Sequence, residues 1–585
     1  MKKIINIFAL AILTASPLCA QTMGDALVYG KNNYYGTART LGMGNAVTAV
    51  GGDLGAISIQ PAAGSVAGYS QVEFSLGTVT SVNQTRFAPS YNTVSGSQTF
   101  GTKSSQSKTV FTLPNLGVNI RFNNGGGSAV RSFNYGFVVN RTESYRDYFL
   151  AKGIESNTSI TGAFATGAAG MPGNIGTLSN PYDQGYFANS VAAYLGGLIN
   201  FNGDTGDANE YYGSGELKEL NTDTGAYDYH VPGNLYQQMS ISQKGSKNEY
   251  VFNIGMNIAD RVFLGFNLGI PAISNKFTEY FRESTGDNWE LFKVTPEYVD
   301  SETGQSYTGD ETYYLGSTYR YEHNISGTGI NAKFGIIALP TNGLRIGASI
   351  YTPTAYTIHD KYGVRAAANF DDSRYSASST SPVWEDKYDY RSPWGFDLGL
   401  AYTFGPMGMI SIDYGLTDFS VMKYSYDDEE GDFADDSFYR VNQLNKLFCG
   451  VQHQLRIGAE VKPLPFLAIR AGFNLTTSPE RTYKDMDGYL VNATEYDLYF
   501  DQFDSGIYSL DENTKKYSKD KVWSGSIGLG YISAGAFYGD VAVRRTVYAK
   551  YNYSPYSAYV PDYSSPAAEI RRSVVDAVFT FGWRF

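Results

Sequence analysis

From Phe252 to Ile270 the chain alternates between apolar and small polar side chains, one residue at a time. Phe252, Ile254, Met256 and Ile258 fall on one face, with Asn253, Gly255 and Asn257 on the other. After a short turn at Ala259-Asp260 the pattern resumes: Val262, Leu264, Phe266, Leu268 and Ile270 oppose Gly265, Asn267 and Gly269. A period of two is the signature of a strand with two different environments on its faces. The segments 115–122, 132–140 and 523–531 alternate likewise.

A soluble sandwich also alternates, because one face of its sheet is wet. Three features favour a membrane barrel instead. The apolar runs are about 9–11 residues, the span of a tilted strand in an outer membrane. The opposite face carries Gly, Asn and Ser rather than Lys and Glu. Connections alternate between very short and very long, as periplasmic turns and outer loops do.

Strands are expected to start near 71, 108, 131, 237, 262, 313, 344, 384, 408, 446, 466, 521, 535 and 569. Short turns are expected near 124–130, 259–261, 340–343, 405–407, 462–465 and 533–534. Fourteen is an even number, as single-chain bacterial barrels have. It requires 237–243 and 248–258 to be one long strand; read apart they give fifteen. The longest connection, about 148 to 236, contains "YFANSVAAYLGGLINFNG" (186–203), which could hold a helix.

Composition closes other routes. A formal net charge of -12 argues against nucleic acid, whose phosphates demand clustered Lys and Arg. Acid gathers in 426–437 and 485–504, which read as solvated loops. Lys2 and Lys3, the apolar run Ile4 to Thr14, and Leu18-Cys19-Ala20 before Gln21 read as a secretory signal peptide over 1–20. Cys19 also suggests a lipoprotein, but Leu18 before it is larger than such sites accept. Cleavage after Ala20 leaves Cys449 alone, in a strand-like pattern, so no internal disulfide is expected.

The final segment "AVFTFGWRF" places Phe579, Phe581, Trp583 and Phe585 on one face. Termini usually fray, so a strand of this kind must be held, and held in an apolar place. These four residues are the candidates for assembly and closure of the barrel. Their alternation resembles the signal by which the barrel assembly machinery recognises its clients.

Residues 21–68 do not alternate. Leu41, Ala46 and Val50 suggest one short helix, stopped by Gly51-Gly52. Asp53 can cap a second over Leu54 to Ile59, ended by Gln60-Pro61 because a residue before Pro avoids the helical region. Such a segment has too little apolar surface to fold alone and needs something to pack on. The lumen of the barrel, 69–585, is the available place. The expected fold is therefore all-β: a fourteen-stranded antiparallel transmembrane barrel with a small helical hatch in its lumen and long extracellular loops.

"ARTLGMGNAVTAVGGDLGAISIQPAA" resembles the hatch of the FadL family (also labelled OmpP1/TodX), with its small-residue helix, acidic turn and Asn-Pro-Ala motif. Here the motif reads Gln60-Pro61-Ala62. The stretches 327–354 and 455–479 look like two hairpins of longer-looped members. The resemblance implies hatch roles for Asp53, Gln60, Pro61 and Ala62. It also implies an outer-membrane channel for passive uptake of hydrophobic compounds such as long-chain fatty acids. Capture between outer loops is followed by hatch movement and lateral exit. The implied partners are a hydrophobic small molecule, outer-membrane lipid with lipopolysaccharide, and the assembly machinery.

Catalytic signals do not appear. His230, His323, His359 and His453 share no metal spacing, and no Gly-x-Ser-x-Gly elbow occurs. Asp485-x-Asp487-Gly488 hints at calcium but lacks the remaining ligand positions. No enzyme activity, metal or cofactor is expected. The alternative class is a structural or secretion-associated barrel without small-molecule transport.

Overall fold

A computed structural model describes residues 7–8, 22–124, 128–202, 210–299, 306–426, 438–486, 488–493, 496 and 510–585. Nearly all of the expected signal peptide, most of both acidic stretches, and Asp487 lie outside the described residues.

The wall is built from β1 (Gln71–Ala88), β2 (Lys103–Asn123) and β3 (Val130–Ser144, continued by Asp147–Glu155). It continues through β4 (Leu235–Ile258), β5 (Val262–Ser284) and β6 (Thr312–Ala338). Two strands are interrupted: β7 (Leu344–Tyr351, then Ala355–Phe370) and β8 (Trp384–Arg391, then Trp394–Thr403). The circuit ends with β9 (Gly408–Asp418), β10 (Val451–Leu464), β11 (Leu467–Thr477), β12 (Lys521–Ile532), β13 (Phe537–Val547) and β14 (Ala567–Arg584). Each pairs antiparallel with its neighbour, and β14 returns to β1 from Gln71↔Arg584 to Ala88↔Ala567. The result is a closed fourteen-stranded antiparallel barrel.

The seam holds to the last residue. Ser70 N donates to Phe585 O at 3.1 Å, and Phe585 N donates to Ser70 O at 3.0 Å. Phe579, Phe581, Trp583 and Phe585 face outward there, and Phe74 packs on Phe581 and Trp583 with ring centroids 5.4 and 6.2 Å apart. Around the barrel the same level is a belt of outward apolar residues, among them Phe252, Ile254, Phe334, Ile336, Leu400, Ile412, Ile469 and Leu529, all exposed. A continuous apolar girdle of this extent is a lipid-facing surface. Among the described residues no helix is long and apolar enough to cross a membrane.

The strands outrun that belt. β4, β5 and β6 have 24, 23 and 27 residues, against about 10 needed to span. Their upper parts form a head closed by α4 (Ile160–Gly167) and α5 (Ala188–Leu195), with Phe164, Val191, Leu235, Met239, Phe281 and Tyr314 in its core. The helix expected within 186–203 is α5.

Two expectations fail. A strand was expected from 446, but Tyr439–Phe448 is a helix and β10 begins at Val451. Its buried Val441, Leu444 and Phe448 follow helical spacing, which a period-two reading passes over. Cys449 lies just past this helix, buried, rather than in a strand.

The N-terminal segment also differs. Its helices are α1 (Met23–Gly30), α2 (Ala38–Gly42) and α3 (Ala63–Val66). Neither a Leu41–Val50 nor a Leu54–Ile59 helix forms; both stretches are successive turns. Gly44 and Asn45, each at φ +63, end α2 early. A Cβ on Gly44 would stand 2.7 Å from the Phe473 backbone nitrogen, so this backbone lies directly on β11. Contact with the wall has replaced the segment's own helical ladder.

Candidate functional site

Turns leave carbonyls without internal partners, and buried carbonyls need donors. The small polar face of the wall provides them. Asn253 Nδ2 donates to Pro61 O at 2.8 Å, Asn267 Nδ2 to Ile57 O at 2.7 Å, and Asn119 Nδ2 to Gly64 O at 3.0 Å. The amides also bond one another: Asn134 Nδ2 reaches Asn119 and Asn253 at 2.9 Å, and Asn253 Nδ2 reaches Asn267 at 2.7 Å. An amide both donates and accepts, so a row of asparagines across β2 to β5 can run as one network and still serve the hatch. The glycines between them are clearance: a Cβ on Gly265 would overlap Pro61, and one on Gly335 the Gln60 amide.

Gln60 is the clearest case. Its Nε2 lies 2.9 Å from Thr48 O, 3.2 Å from Ile336 O and 3.1 Å from Ala348 O, while its Oε1 accepts from Ala62 N at 3.2 Å. One side chain thus ties the hatch to itself and to paired residues of β6 and β7. Asp53 works within the hatch: its Oδ1 accepts from Thr37 Oγ1 (2.6 Å), Thr40 Oγ1 (2.7 Å) and Gly55 N (2.8 Å). Gln60 and Ala62, on either side of Pro61, are joined by a hydrogen bond, Asp53 bonds a separate set of residues in the segment, and Phe579, Phe581, Trp583 and Phe585 lie apart on the lipid face.

Charge supplements the amides. Arg39 of α2 pairs with Glu460 at 3.3 Å, and Arg470 holds the same carboxylate at 2.7 Å. Lys333 reaches Glu249 at 2.8 Å and donates to Ser58 O at 2.9 Å. Arg544 pairs with Asp576 at 2.9 Å and donates to Tyr34 O at 3.1 Å. All these wall groups are buried, so removing one partner would cost about 3–5 kcal/mol.

Above the hatch is a cavity of about 670 Å³, bounded below by residues 22–34 and above by α5. Leu27, Val28, Phe149, Ile241, Phe277 and Tyr356 line it beside Lys247, Glu249 and Lys333. Its size and mixed lining suit a small, largely apolar ligand.

A feature absent from the sequence reading adjoins this cavity. The ladder between β2 and β3 runs from Asn123↔Ser132 only to Asn115↔Asn140. Beyond it, 103–112 of β2 still pairs with β1, and 147–155 of β3 still pairs with β4, but no ladder joins the two segments. Bulges sit at the parting: one opposite Leu76 of β1, at Leu113-Pro114, and one at Thr142 against β4. The upper part of β3 tucks inside, held to β1 by side chains: Asn83 Nδ2 to Tyr148 O (2.7 Å) and Thr85 Oγ1 to Leu150 O (2.6 Å). The hatch covers the parting from within, where Asn33 N donates to Thr142 O (2.6 Å) and Tyr35 N to Arg141 O (3.0 Å). Pro114 was the available signal, since a proline within a strand marks an edge or a bulge.

The remaining candidates are structural. His323 Nε2 lies 2.6 Å from Asp360, and His453 Nδ1 lies 2.6 Å from the Tyr414 hydroxyl. Burial pushes the Cys449 thiol up to about 12, which leaves it unreactive. Among the described residues no group of three or more His, Cys, Asp or Glu could hold a metal ion.

No protein-family model and no curated protein matches the chain. Solved structures do. A Pseudomonas aeruginosa FadL homologue aligns at 10% identity and a TM-score of 0.43, over 94% of this chain and 99% of that one. The Pseudomonas putida toluene transporter TodX aligns at 10% identity and 0.43, over 95% and 100%. The CymD monoaromatic hydrocarbon channel aligns at 9% identity and 0.42, over 94% and 97%.

Proposed function

We propose that the protein is a bacterial outer-membrane channel for passive uptake of hydrophobic compounds, long-chain fatty acids among them. Cargo enters from the head, occupies the cavity above the hatch, and leaves sideways between β2 and β3 when the hatch shifts. The observation that carries this reading is the parted ladder beside the cavity in an otherwise closed wall. A polar pore has no need of an unpaired strand edge, which is ordinarily a liability. An apolar solute does need such a way out, because the route downward is blocked by a hatch bonded to the wall on many sides.

The test locks the hatch at the parting. Asn33 and Thr142 are backbone-bonded neighbours, so Asn33→Cys with Thr142→Cys should form a disulfide. In a host lacking its own fatty-acid channel, uptake of a labelled long-chain fatty acid and of toluene is compared with and without reductant. Uptake should fall in the oxidised protein and return on reduction. Equal uptake in both states rules out this exit. No uptake by the unmodified protein rules out the transport reading and favours a structural or secretion-associated barrel.

A further inference from the structure

At the parting, a crevice between the inward face of upper β2 and the outward face of β3 and β4 collects cations without matching anions among the described residues. Arg146 and Lys244 stand across from one another on β3 and β4, between the Tyr145 N to Gly245 O bond and the Asp147↔Gln243 pair. Lys244 is in turn paired with Lys276 of β5. Lys108, on the upper part of β2, has its Nζ 6.0 Å from the centre of the Tyr148 ring. It feels the charges of both Lys244 and Arg146, and Arg141 feels that of Arg146. Like charges directly opposed in a sheet repel and destabilise it. Lys276 has Glu322 at 3.8 Å, but among the described residues no carboxylate lies within ion-pair distance of Lys108, Arg141, Arg146 or Lys244. In a chain of net charge -12, such a concentration calls for an external anion.

Its height identifies the anion. On β4 the outward apolar series ends at Tyr250; Lys244 follows higher on the same face, and Arg141, paired with Asn248, stands two pairs above Val139↔Tyr250. With a rise of about 3.3 Å per residue and a tilt of about 40°, the cluster occupies the layer about 5–15 Å above the belt. In an outer membrane that layer holds the phosphorylated sugars of lipopolysaccharide. Phe111, 87% exposed, and Leu113 stand on the other, outward face of β2, at the upper edge of the apolar belt.

We propose that Lys108, Arg141, Arg146 and Lys244 form a docking site for the phosphoryl groups of one outer-leaflet lipopolysaccharide molecule. The Arg146 guanidinium can match phosphate oxygens in pairs, while Arg141, whose guanidinium also bonds Asn248 and Thr112, and the lysines add charge around it. The bound glycolipid covers the parting, where upper β2 is paired with β1 but has no ladder on its β3 side. This inference rests on the outer-membrane reading alone and is independent of the cargo.

The experiment uses the full-length protein purified in detergent and titrated with lipid A, read by native mass spectrometry. The probes are bisphosphorylated lipid A, the same lipid dephosphorylated, and inorganic phosphate. Wild-type protein should bind the bisphosphorylated form at least about tenfold more tightly than the dephosphorylated form. A Lys108→Gln, Arg146→Gln, Lys244→Gln variant should lose that preference. Heat-modifiable gel mobility verifies that the variant is a folded barrel, and a single Lys244→Gln variant is the substitute should it not fold. Equal binding of both lipids, an unchanged preference in the folded variant, or displacement by phosphate at equal concentration overturns the proposal. A wild-type protein that fractionates away from the outer membrane overturns the reading beneath it instead.

Discussion

Asn253 and Ile254 are neighbours in sequence and live in different solvents. Ile254 is half exposed to lipid, while Asn253 is almost wholly enclosed and bonded to Pro61. Ile254→Arg should destabilise the barrel by about 2–4 kcal/mol near the bilayer midplane, read by urea unfolding in lipid vesicles. A water-filled lumen would tolerate Arg at Asn267, but the lumen at this level is packed. Asn267→Arg would remove the bond to Ile57 O and force bulk against the hatch, at about 1–3 kcal/mol, with ion leakage in planar bilayers. If Asn267→Arg is silent in both measurements, the hatch is not seated there. The facing of both residues was legible, because a period of two admits only one assignment. The task of Gln60 was not, since two of its acceptors lie 276 and 288 residues away in sequence.

Among elements, β14 is the one whose role the sequence displays. Trp583→Ser with Phe585→Ser should sharply lower the fraction of heat-modifiable, folded protein in the outer membrane, since both side chains face lipid at the seam. Wild-type levels would separate these aromatics from closure. In the head, Glu216 accepts from Gly213 N at 2.9 Å and from Tyr559 at 2.7 Å, joining the long loops before β4 and before β14. Burial raises its carboxyl from 4.5 to about 7. A raised carboxyl favours the folded head while it stays protonated, so this contribution is full below about 4.5. It declines as pH rises and is gone above about 7. Protection from hydrogen exchange at 211–216, corrected for the base-catalysed rise of intrinsic exchange, should therefore fall from pH 4.5 to 7.5, and Glu216→Gln should flatten that profile. The elements that escaped the sequence reading did so for two reasons. Helix 439–448 carries its own helical spacing, which a period-two reading passes over, whereas the hatch turns take their shape from wall strands far away in sequence, of which a local pattern carries no record.

At the scale of the whole molecule, barrel and hatch are separable in principle. The wall closes through its own ladders, and Glu460 and Asp576 keep Arg470 and Arg544 when the hatch is gone. Deleting 21–68 should leave a folded barrel, raise its single-channel conductance well above that of the intact protein, and weaken selective uptake of hydrophobes. A truncated protein that conducts no more than the intact one would mean the segment does not block the lumen. The strand count and the short turns were legible because outer-membrane strands announce themselves one by one. The parting left only one local mark, Pro114, because it is otherwise the absence of a pairing between two strands.

The height of that parting sets what it costs to open. The ladder ends at the upper edge of the apolar belt, one pair above Val139↔Tyr250, so beyond Phe111 the N–H and C=O groups of 103–110 meet water and sugars rather than hydrocarbon. A backbone group stripped bare in oil costs several kcal/mol, whereas one that is wetted costs little. On the proposed exit route, the seam would be rehydrated whenever the hatch withdrew. Wetting of the wall, rather than rupture of a sheet, would then be the step for which a solute on that route waits.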